Sequence, residues 1–82
     1  MPEISARFCN HFGESRRWQI WDVARDPNDP KEVFNDYLRP DECAGPLILY
    51  SADGQYGHAR WGRSDGSVEE DDVVDGARVE MY

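Results

Sequence analysis

The residues best suited to chemistry in this chain are carboxylates. Glu69-Glu70-Asp71-Asp72 places four in a row, an arrangement tolerable in water or beside a cation and costly inside a core. One chemistry it suits is docking: Glu69, Glu70, Asp71 and Asp72 are candidate contacts for a basic protein partner. The other is Ca²⁺ binding, which takes about six to eight oxygen ligands from a flexible loop, with Asp71, Asp72 and Asp75 as the candidates. An EF-hand loop is absent, because Asp65-Gly66-Ser67-Val68-Glu69 has Gly and Val where ligands belong.

Thiols and imidazoles come next. Cys9 and His11 are two residues apart, on one side of an extended segment, and Cys43 and His58 would complete a Cys₂His₂ zinc set; the short C-x₂₋₄-C loop that usually pairs zinc ligands is missing. Two cysteines are too few for a disulfide scaffold, and Glu3 stands where a secretory signal would carry basic residues before a long apolar run. Two reduced thiols in a cytoplasmic protein are therefore expected. Nothing resembles a nucleophile elbow, a P-loop or a dinucleotide fingerprint. A core this small is also not expected to enclose a pocket of several hundred Å³, so the chain reads as non-catalytic.

Aromatic residues are numerous: three Trp, four Tyr and three Phe among 82 residues. Arg16-Arg17 precede Trp18, and Arg60 and Arg63 flank Trp61, so guanidinium stacking on an indole is available. Core packing claims at least one indole, and one of Trp18, Trp21 and Trp61 is expected to be substantially exposed as a contact for a partner, or for a sugar in a lectin-like domain.

Tyr50-Ser51-Ala52-Asp53-Gly54-Gln55-Tyr56-Gly57 resembles the aromatic, six residues, glycine signature of βγ-crystallin Greek-key motifs, and Asp71-Asp72-Val73-Val74-Asp75 is similar to that family's acidic Ca²⁺ loop. The resemblance implies a Ca²⁺-binding structural module. Asp75 and Gly76 stand where the family has Ser or Thr, a paired second motif is not visible, and the likeness covers about a third of the chain.

The elements that must carry these residues read as strands. Ile4, Ala6 and Phe8 alternate with Glu3, Ser5, Arg7 and Cys9, with Asn10 interrupting; period two is the mark of a strand with one wet face. Arg16 to Ala24 resumes with two apolar sets on opposite sides, Trp18 with Ile20 and Trp21 with Val23, so both faces are covered in part or one Trp is exposed; Arg25 to Pro30 is a loop rich in Pro and Asp, and a short strand is expected around Glu32 to Phe34. Leu47 to Ser51 is the most apolar segment. Asp53-Gly54, Asp65-Gly66 and Asp75-Gly76 then recur as tight-turn dipeptides, predicting a meander through Gln55 to Arg63 and Val73-Val74 to a final strand, Ala77 to Tyr82. That last strand has an apolar face and an edge through which a homodimer could form.

The expected fold is therefore all-β: one small domain spanning 1–82, a sandwich or partly open barrel of six or seven short antiparallel strands with an acidic loop at 64–76. Of the net charge of −8, residues 64–82 hold −6 and residues 1–63 hold −2. Acidity of this kind excludes a nucleic-acid groove as the default, since phosphate binding needs clustered Lys and Arg. No apolar run approaches the roughly 20 residues that span a bilayer as a helix.

Overall fold

The computed structural model describes residues 3–63 and 66–82, with the Arg63 side chain left out of the description. Among the described residues there are seven strands and no helix: β1 (Glu3–Asn10), β2 (Arg16–Asp22), β3 (Lys31–Leu38), β4 (Cys43–Tyr50), β5 (Tyr56–Arg63), β6 (Val68–Val74) and β7 (Ala77–Met81). They form two sheets packed as a sandwich, one ordered β4-β1-β7 and the other β3-β2-β5-β6. Among the described residues no helix is long and apolar enough to cross a membrane.

Period-two patterning explains the core. Ile4, Ala6 and Phe8 from β1 face Trp18 and Ile20 from β2 and Ala59 and Trp61 from β5, with Leu49, Val73 and Met81 closing the layer. Phe8 and Trp61 meet edge to face at 5.9 Å between ring centroids, a favoured aromatic geometry. Asn10 interrupts the alternation because it is a fully buried bracket: its Nδ2 donates to the carbonyls of Glu14 and Leu38, and its Oδ1 accepts from the Phe12 amide.

Four expectations need correction. The cysteines are not reduced. Cys9 and Cys43 lie directly across the β1–β4 ladder and are joined as a disulfide, which also removes both thiols from any zinc set. The meander is not formed either. Asp53-Gly54 and Asp75-Gly76 do take positive φ at their glycines, yet each turn carries the chain from one sheet to the other; only β5 and β6 of that region pair as neighbours. Asp65 of the third dipeptide lies outside the described residues.

Nor is every pair antiparallel, because β7 returns beside β1 in parallel, Phe8 opposite Val79. Asp75 starts that pairing: its Oδ1 accepts the Ser5 amide and the Gly76 amide donates to the Ser5 carbonyl. Finally, the acidic stretch is mostly strand, with Val68 to Val74 paired along β5. Its place at the rim of the sandwich is the physical reason: Val68 to Asp72 stay exposed while only Val73 turns into the core, so the charges remain in water.

Two strands are also longer than their patterns suggest. β3 runs to Leu38, and a register shift opposite Ile20 and Trp21 blurs its alternation. β4 begins at Cys43, before Gly45-Pro46. A bulge between Ala6 and Phe8 lets it pass, and Gly45 has φ of 105°, where an added Cβ would lie 2.5 Å from the Leu47 nitrogen.

Candidate functional site

Each sheet has two edge strands, and the sandwich opens where the edges face one another. The β6/β7 seam holds the acidic residues. Alternation sends Glu69 and Asp71 to the side of β6 that faces Trp61 and Ala59, and Glu70 and Asp72 to the outer side opposite Arg60 and His58. A groove of about 410 Å³ runs along this seam, with Trp61, Glu69, Asp71, Val79, Glu80 and Tyr82 among its lining residues.

The four adjacent carboxylates thus form two separate pairs. On the outer face, His58 sits between Asp72 (Nδ1 to Oδ1, 2.8 Å) and Glu70 (Nε2 to Oε1, 2.6 Å), while Arg60 Nε donates to the other Glu70 oxygen at 3.1 Å. Toward the groove, neither Glu69 nor Asp71 has a cationic partner among the described residues. Arg78, the nearby cation of β7, is paired with Glu80, and Glu80 also meets His11.

The outer cluster should make β6 sensitive to pH. The Asp72 hydrogen bond, reinforced by Glu70, raises the pKa of His58 above its ordinary 6.5, and His58, followed by Arg60, lowers that of Glu70 below 4.5. Stabilisation through His58 is complete below pH 6.5 and is lost as pH rises through the raised folded value. Stabilisation through Glu70 is complete above pH 4.5 and is lost as pH falls through the lowered folded value. Urea midpoints are expected to decline on the alkaline side of this window, and His58→Gln should flatten that limb; an identical decline in the variant would count against the cluster.

The Ca²⁺ candidates are not brought together. Asp71 and Asp72 point to opposite sides of β6, and Asp75 is committed to the Ser5 amide. Among the described residues there is no group of three or more His, Cys, Asp or Glu placed to hold a metal. The motif-like segment after β4 is a self-contained turn: Asp53 Oδ1 accepts the Tyr56 and Gln55 amides, which with Ser51 lower its pKa, and Ser51 Oγ accepts the Gly54 amide.

The indoles also differ from expectation. Trp18 and Trp61 are core residues and Trp21 is half-buried, so none is an exposed platform. Trp21 lies across from Arg60 on the outer face of its sheet. The exposed aromatics are tyrosines instead, Tyr37, Tyr56 and Tyr82.

Sequence reasoning missed Asp22. It continues the inward series Trp18, Ile20, Asp22 on β2, and an acid at an inward strand position was the available signal. The residue is 3% exposed; Oδ2 accepts the Tyr50 amide at 2.9 Å and Oδ1 is buried with no hydrogen-bond partner among the described residues. It lines a cleft of about 370 Å³ between β3 and β4. The core is not expected to enclose a pocket of several hundred Å³; the cleft and the groove reach that size as open seams between sheet edges. Comparison with protein-family models, curated proteins and solved structures finds no match to this chain.

Proposed function

We propose that this protein is a non-catalytic binding module that receives an extended basic segment of a partner protein along the edge of β6. The observation that carries this reading is the state of Glu69 and Asp71: two carboxylates on an edge strand, facing a groove, without a cationic partner among the described residues. Among the described residues no strand pairs with the outward edge of β6. A peptide adding there gains main-chain hydrogen bonds, and Lys or Arg at alternate positions reaches Glu69 and Asp71 on one side. Glu70 and Asp72 serve differently, bonded to His58 and Arg60 and holding β6 on its sheet.

The Cys9–Cys43 bond favours an oxidising compartment over the cytoplasm. Fluorescence anisotropy with a labelled peptide alternating Lys and Val tests the docking. Affinity is expected to fall with added salt, and Glu69→Lys with Asp71→Lys to weaken it by about tenfold or more. Because both positions are exposed, stability should change by no more than about 0.5 kcal/mol. Unaltered affinity in the double variant would remove the proposal. Self-pairing through the edge of β7 is the competing use of this seam, and light scattering after gel filtration reads it directly.

A further inference from the structure

We infer that the cleft between β3 and β4 binds a small zwitterion, an α-amino acid with an apolar side chain, whose ammonium group is held by Asp22. Three observations converge on it. The first is the orphaned Asp22 oxygen. A buried polar atom without a partner costs about 1–3 kcal/mol, and Lys31, directly across the β2–β3 ladder, does not supply one. Asp22 lines the cleft, and an ammonium group seated there would supply the missing donor once the carboxylate turns its shielded oxygen toward the opening.

The second is charge balance. Glu3 and Asp22 are opposed by Arg25 and Lys31 around the same opening. A simple cation would be repelled by the two basic groups and a simple anion by the two acids, whereas a ligand carrying both charges satisfies each set. Its carboxylate would lie toward Arg25 and Lys31, which are exposed and free to reorient. The third is the wall: Val33, Ile48 and Leu49 line the cleft, and Ile48 is 54% exposed. Covering it with an aliphatic side chain adds favourable burial, and a volume of about 370 Å³ is ample for a free amino acid.

L-Leucine is the probe, with leucinamide lacking the carboxylate and 4-methylpentanoate lacking the ammonium group. Amide chemical shifts of the full ¹⁵N-labelled chain are followed at Val33, Leu49 and Tyr50. Saturable shifts with leucine are expected, with each analogue weaker by about tenfold or more. Asp22→Asn, which keeps an acceptor for the Tyr50 amide, should weaken leucine by a similar factor. Should that variant fail to fold, Arg25→Ala with Lys31→Ala changes only exposed positions and should also weaken leucine. The inference fails if leucine leaves the three amides unmoved, if 4-methylpentanoate binds as well as leucine, or if the Arg25 and Lys31 variant retains full affinity.

Discussion

Replacing Cys9 and Cys43 by Ala, or reducing their bond, is expected to lower the free energy of unfolding by about 4 kcal/mol. The two residues are 34 apart in sequence, and cross-linking them removes loop-closure entropy from the unfolded chain. A domain of this length is stable by only about 4–12 kcal/mol, so the loss reaches from a third of the total to nearly all of it. The bond ties β4 to β1, and β4 is an edge strand whose ladder is interrupted by the bulge opposite Gly45-Pro46. Urea titrations with and without reductant measure the effect, and alkylation before and after reduction reports the state of the thiols. A midpoint unmoved by reductant, in protein shown to be reduced, would mean that the sandwich holds without its cross-link.

Trp61→Ala is expected to cost about 3–5 kcal/mol, the usual penalty for truncating a large buried aromatic. Trp61 joins the sheets through Phe8 and lies across from Ile20. The same substitution at half-buried Trp21 should cost markedly less, because part of its surface is already in water and its face of the sheet borders no second layer. The contrast separates two roles that the sequence leaves combined. If Trp21→Ala proved the more damaging, the outer face of this sheet would have to be covered in the folded protein.

Period-two alternation in Ile4 to Phe8 and in Ala77 to Met81 made those strands and their inward faces legible, because a strand's side-chain direction is set by backbone geometry within a few residues. The same rule, applied to Glu69 through Asp72, would have divided the acidic run into two faces. Consecutive charge masked it, since four carboxylates together read as solvated loop. β3 was underestimated for a local reason, the shifted register beside Ile20 and Trp21. At Asp22 the alternation was present and its consequence was overlooked.

By itself, then, the sequence determined an all-β chain of short strands, the inward faces of its first and last strands and the concentration of negative charge near its end, all of which follow from local spacing and composition. Tertiary structure alone decided what each strand meets. It placed Cys43 opposite Cys9, brought β7 parallel to β1, set His58 between Asp72 and Glu70, and left Glu69 and Asp71 on one open seam and Asp22 lining the other. Pairing across a sandwich joins residues tens of positions apart, and local periodicity is the same whichever partner a strand finds.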